Sequence, residues 1–204
     1  MLKKLASDAL GLSDIGKIIG KENFNKVDAD DYIMHEDGEQ IFFIIKSKTD
    51  EYCFTNLAFI HVDGTSAISK KRVVNRYDYY QNYIGEVTIE TAGTIDLDCE
   101  IKFVIGDRAF SIDVDKNQIE QLKDLYKSLV KISQIKKHNE VMLNKAQESL
   151  TIAANACASS KVVNGDAAEI FKNINEYAFE WVKLNREAYI VKDFGDIFKN
   201  YINN

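Results

Sequence analysis

Three histidines, three cysteines and several short carboxylate rows are the side chains in this sequence best equipped for chemistry. His35, His61 and His138 are far apart and open no HExxH, and Cys53, Cys99 and Cys157 form no CxxC pair. The nitrogen and sulfur spacings that hold zinc are therefore absent. His61 and Asp63 lie two apart, on one face of a strand, where an imidazole could bind something. The ordinary fate of such a pair is a surface or partly packed histidine. Asp96, Asp98 and Glu100 would line one strand face at steps of about 6–7 Å. Hard cations usually draw their oxygens from a loop, so this row reads as a solvated acidic face. Asp28, Asp30 and Asp31 lack EF-hand spacing. There is no GxSxG, P-loop or GxGxxG, and single glycines such as Gly93 and Gly106 sit in turns. No catalytic residue, cofactor or metal site is expected. An odd number of unpaired cysteines fits small buried thiols in a reducing cytoplasm.

Lys70, Lys71 and Arg72 make the one basic cluster in the strand-rich region and are the weak candidate for anion binding. Their surroundings oppose it. Residues 1–115 carry 13 Lys+Arg against 21 Asp+Glu, and residues 116–204 carry 13 against 11. An acidic first half excludes general nucleic-acid binding and disfavours an anionic membrane, both of which need a basic footprint. On an edge strand, the same three cations discourage unwanted pairing.

The elements that must position these residues follow from periodicity. Residues 1–20 read as two short helical pieces, the first ended by Gly11 and the second capped by Ser13. This segment could lie on a membrane, but two lysines favour docking on the protein itself or on a neighbouring subunit. Strands are expected at 30–36, 40–47, 51–55, 57–62, 72–79, 84–91, 95–105 and 108–114. In 95–105 apolar and charged residues alternate strictly, as in a half-buried antiparallel strand. Consecutive strands without intervening helices indicate an antiparallel barrel or sandwich.

The period then becomes helical. Asp115 and Gln118 resemble a capping box, and Leu122, Leu125, Leu129 and Ile132 repeat at 3–4 spacing. Lys136 and Asn139 interrupt the stripe, which places a domain boundary inside a long helix at residues 134–140. A second helix carries Ile170, Ile174, Tyr177, Trp181, Leu184, Ala188 and Val191 at heptad spacing, with Gly165, Asp166 and Glu169 marking its start. The expected organisation is a domain over 1–134 and a helical hairpin over 135–204. No proline is present, which excludes a Pro-rich linker, and no apolar run approaches a membrane span.

Seven or so antiparallel strands closed by an amphipathic helix make an α+β layout, that of a pleckstrin-homology-like barrel. The segment CFTNLAFIHVD resembles the strand carrying the FTN motif in bacterial pleckstrin-homology-like domains, and QIEQLKDLYKSL is similar to their closing helix. ASDALGLSDIGKII, DYIMHEDGE, TDEYCFTN and ETAGTIDLD are similar to the YvbH-like group of that family. The resemblance spans essentially the whole chain and implies a C-terminal helical oligomerisation extension. It also implies homo-oligomeric, often ring-like assembly, with no catalytic residues to carry over.

A surplus of apolar residues points the same way. In 41–45 and 57–62 both strand faces are apolar, and a barrel core explains only one. Phe42, Ile44, Leu57 and Phe59 are therefore the expected self-association face, with intrachain cover as the alternative. Ile170, Ile174, Tyr177, Trp181 and Leu184 are expected to pack the hairpin. The functional expectation is a cytoplasmic, non-enzymatic protein that assembles with itself and scaffolds another protein. The alternative is a peripheral membrane or lipid-binding module using residues 1–20 and Lys70–Arg72, and an enzyme or metal-binding protein ranks last.

Overall fold

The alternating segments build eight strands: β1 (Lys17–Ile18), β2 (Ile41–Lys46), β3 (Glu51–Thr55), β4 (Ala58–Gly64), β5 (Arg72–Asp78), β6 (Ile84–Glu90), β7 (Asp98–Ile105) and β8 (Arg108–Asp115). They are followed by helices α1 (Ile119–Ser159), α2 (Ala167–Tyr189) and α3 (Gly195–Tyr201). The structure is a computed structural model that describes residues 14–64, 72–91, 93, 97–159 and 167–202.

Two antiparallel sheets form, in the orders β1-β2-β3-β4-β5 and β6-β7-β8. Gly16 joins them on one side: its N–H donates to the Asp113 carbonyl at 2.8 Å, and its carbonyl accepts from the Asp115 N–H at 3.0 Å. A Cβ there would meet the Asp113 carbonyl at 2.9 Å and the Ile45 side chain at 2.7 Å, so the approach needs glycine. No ladder connects β5 to β6, and the expected barrel is open along that edge.

The interior is aromatic. Phe59 lies at its centre, edge-on to Phe103 at 5.3 Å and to Phe110 at 4.9 Å between ring centroids. Leu122, Leu125, Leu129 and Ile132 of α1 are buried, as their spacing requires. Burying a side chain of this size contributes about 1.5–3 kcal/mol.

Two expected elements differ. Lys17 and Ile18, assigned to a second N-terminal helix, form a strand paired with Lys46 and Ile45. The Gln118 side chain fixes it, accepting from the Ile18 N–H at 2.8 Å and donating to the Ile18 carbonyl at 3.0 Å. Gln118 therefore completes no capping box, although the Asp115 carboxylate does accept from the Asn117 N–H. The first helical piece lies outside the described residues. The strand expected at 30–36 is replaced by short 3-10 turns at Lys21–Lys26, Asp28–Tyr32 and His35–Asp37. The buried Glu51 carboxylate holds the Asp28–Tyr32 turn by accepting from the N–H groups of Asp28 and Ala29 at 3.1 and 2.7 Å, and it also pairs with Lys46.

The chain divides into two compact units. One runs through Ser133 and resumes with Lys192–Asn204, and the other is Gln134–Val191. The division falls inside α1. Residues 192–202, expected to end the hairpin, belong instead to the first unit. There Phe198 stacks on Phe42 at 5.4 Å and Phe194 packs edge-on to Tyr79 at 5.9 Å, so burial decides their place.

Candidate self-association surface

Helix α2 is amphipathic by composition, yet much of its apolar surface is uncovered. Tyr177 is 72% exposed, Phe171 71%, Phe179 66%, Leu184 62% and Ile174 48%. Ile170 and Trp181, from the same heptad series, are half-buried. Among the described residues of Gln134–Val191, no large apolar side chain is buried, and on α1 Val141 and Ile152 are also exposed. Helices in proteins draw most of their stability from packing an apolar face. The ion pairs along α2 do not replace that packing: Lys172–Glu176 at 3.8 Å and Lys183–Glu180 at 4.0 Å are exposed, and such pairs contribute little. An uncovered apolar surface of this kind marks an interaction site. The capping residues Gly165 and Asp166 lie outside the described residues.

The hairpin expected to meet another copy is covered within its own chain. Ile44 packs in a buried cluster with Ile19, Val27, Ala29, Ile33, Cys53, Ala58, Ile60 and Val62, under the 3-10 turns. Phe59 belongs to the aromatic interior, Phe42 lies beneath Phe198, and Leu57 is half-buried. The second apolar face is explained by intrachain cover, from residues 19–33 on one part and α3 on another.

The turn between β3 and β4 holds a densely bonded polar group that sequence reasoning missed. Asn56 exchanges hydrogen bonds with Gln40: its backbone N–H donates to the Gln40 carbonyl at 3.1 Å, and its Oδ1 accepts from the Gln40 N–H at 2.8 Å. Its carbonyl accepts from the Phe194 N–H at 2.8 Å, and its Nδ2 donates to the Asp193 carboxylate at 2.7 Å. Thr55 accepts from the N–H groups of Leu57 and Ala58 and donates to Glu39 at 2.6 Å. Glu39 also accepts from Arg76 at 3.0 Å and from the Met34 N–H at 2.9 Å. Burial alone would raise the Glu39 pKa, but the bonds from Arg76, Thr55 and Met34 outweigh it and hold it below the usual carboxylate value. The Thr-Asn pair quoted in the FTN motif was the available signal.

The other candidates stay apart. Lys70 and Lys71 lie outside the described residues, and Arg72 bonds to Asp28 at 3.4 Å. His61 bonds to Asp50 at 2.9 Å, not to Asp63, and stacks on Tyr52 with centroids 4.8 Å apart. Burial works against the Asp50 charge, but hydrogen bonds from His61 and Thr49 leave its pKa lowered. Asp98 and Glu100 face partly to solvent, and Lys102 bridges Glu100 and Glu90 at 2.8 and 2.7 Å. The Asp113 carboxyl is raised, by burial first and then by Glu100 and Asp98. Burial also raises the Cys53 and Cys99 thiols, whereas Cys157 is exposed. Among the described residues no group of three His, Cys, Asp or Glu is placed to hold a metal, and no helix is long and apolar enough to cross a membrane.

Comparison with known proteins finds two family matches. Residues 9–133 match the family described as Bacterial PH domain, and residues 144–204 match the YvbH-like oligomerisation region. The chain is 52% identical, over 204 residues and 100% of both chains, to the uncharacterized protein YvbH of Bacillus subtilis (strain 168). A crystal structure of a PH domain-containing bacterial protein from Exiguobacterium sibiricum 255-15 is 46% identical. It superposes with a TM-score of 0.86, over 93% of this chain and 100% of that one. The oligomerisation match contains all of α2 and also α3, which packs on the first unit.

Proposed function

Because the chain belongs to the Bacterial PH domain family and carries a YvbH-like oligomerisation region, we propose that it is a non-enzymatic cytoplasmic scaffold that assembles with copies of itself through residues 134–191. The observation that carries this reading is the row of large apolar side chains left exposed on α2: Phe171, Ile174, Tyr177, Phe179 and Leu184. Fully covering one such side chain contributes about 1.5–3 kcal/mol, so the five together are comparable with the cost of bringing subunits together, about 4–15 kcal/mol. Assembly multiplies the PH unit, and an array of PH units binds a partner with avidity that one lacks. Neither matched family is described as an enzyme family, which supports the non-enzymatic part. Size-exclusion chromatography with light scattering on the full chain tests the reading. An assembly is expected, and a monomer at micromolar concentration would remove the proposal.

A further inference from the structure

On the side away from Gly16 the two sheets end in β5 and β6, edges that no ladder joins among the described residues. The two edges are unlike. Strand β6 is blunted: its register with β7 shifts between Gly85 and Thr88, Glu86 there has a left-handed φ of 52°, and Glu86 and Glu90 are exposed. Bulges and edge charges of this kind keep other strands away. No such break interrupts β5, which pairs with β4 over seven consecutive residue pairs, from Ala58–Asp78 to Gly64–Arg72. Its arginines are bonded within the chain, Arg72 to Asp28 and Arg76 to Glu39 and Asp78.

Both faces of β5 are packed, which holds its backbone extended. Val74 lies against the buried cluster that contains Ile44 and Ile60. On the other face Tyr77 stacks on Phe59 at 5.8 Å and meets Phe110 edge-on at 5.7 Å. The Tyr79 N–H donates to the Leu57 carbonyl at 2.9 Å, which sets the phase of the ladder. Successive residues of an antiparallel strand point their backbone groups to opposite sides. Those of Val73, Asn75 and Tyr77 therefore face β4, and those of Val74 and Arg76 face outward.

We propose that the edge of β5 docks an extended segment of another protein, which joins the sheet as a further strand through the outward N–H and C=O groups of Val74 and Arg76. The segment is apolar at alternate positions, because these lie beside Tyr77 and Val73, the latter 40% exposed. Lysine or arginine stands between them, because residues 1–115 carry 21 Asp+Glu against 13 Lys+Arg. The contact needs no second copy of this chain and stands apart from self-assembly.

The probe is an acetylated, amidated heptapeptide of alternating lysine and valine, matched to the seven residues of β5 and added to the full chain. Calorimetry is expected to show saturable binding, and hydrogen–deuterium exchange read by mass spectrometry to slow in residues 72–78. The same peptide N-methylated at every residue should do neither, because it cannot donate to the edge. Val74→Pro deletes one outward N–H and leaves the bonds to β4, so affinity for the heptapeptide should fall about tenfold. Val74→Ala loses the same side-chain packing but keeps the N–H, and should bind as the unaltered chain does. Circular dichroism checks that both variants fold, and the two peptides decide the question on the unaltered chain if the proline variant does not. No binding of the heptapeptide, equal binding of its N-methylated form, or equal losses in the two variants would overturn the proposal. So would protection of residues 72–78 that rises with protein concentration alone, which would assign the edge to a second copy.

Discussion

Asn56 donates its side-chain amide to the Asp193 carboxylate at 2.7 Å, a contact that spans 137 residues of sequence. The second Asp193 oxygen accepts from the Gly195 N–H at 2.7 Å, so one carboxylate fixes both the β3–β4 turn and the start of α3. The chain leaves the first unit after Ser133 and returns at Lys192, which makes residues 134–191 an insertion with both ends anchored. The region proposed to assemble subunits is thereby joined to the first unit by the chain at both of its ends.

Asn56→Ala removes a side chain that bridges Gln40 and Asp193, both of them exposed residues whose freed groups water can take up. The expected loss is about 1–3 kcal/mol, from two hydrogen bonds at about 0.5–1.5 kcal/mol each. Asp193→Ala, which touches only the α3 side, should lose about half as much. Urea unfolding followed by fluorescence measures both. Equal and negligible losses would show that α3 holds without this lock.

Cutting the chain after Ser133 removes α3 together with residues 134–191. Phe42 and Tyr79 then lose the rings of Phe198 and Phe194, and the remaining unit should melt well below one in which a flexible Gly/Ser linker replaces residues 140–187. The linker variant is expected to be a monomer with a stable PH unit, and thermal melts of the two proteins make the comparison. Equal melting temperatures would mean that α3 adds nothing to that unit.

Strand positions were readable because period-two alternation depends only on which face is buried. Residues 51–55, 72–78 and 84–90 fall where their side-chain patterns place them. The segment at 30–36 was not readable, because the Glu51 carboxylate that holds the neighbouring turn arrives from a distant strand. Phe42 and Ile44 carry the same signal for subunit contact as for intrachain cover, since hydrophobicity does not name what covers it. The α2 series was legible as helix, but α2 has no buried large side chain of its own in this chain, so the same heptads that predict packing leave the neighbour unnamed.

Acid should loosen the first unit through Glu39 and Asp50. Both have folded-state pKa values below their ordinary ones, so the stability they add is present above the unfolded pKa and is lost as pH falls through the folded one. Unfolding free energy is therefore expected to decline below the usual carboxylate range. Arg76→Met leaves the buried Glu39 charge without its cation and should cost about 3–5 kcal/mol at neutral pH. It should also flatten the acid limb, because Glu39 then starts from a higher pKa. Denaturation curves at a series of pH values read both effects, and an unchanged acid limb in the variant would exclude Glu39 as its source.

Sedimentation velocity on the full chain across a dilution series, beside Tyr177→Glu with Leu184→Glu, tests self-assembly through α2 most directly. The unaltered chain should sediment as an assembly of 23.2 kDa subunits, and the variant as a single subunit with an unchanged circular dichroism spectrum. Identical sedimentation of the two proteins, or a lone 23.2 kDa species for the unaltered chain at every concentration, would contradict it.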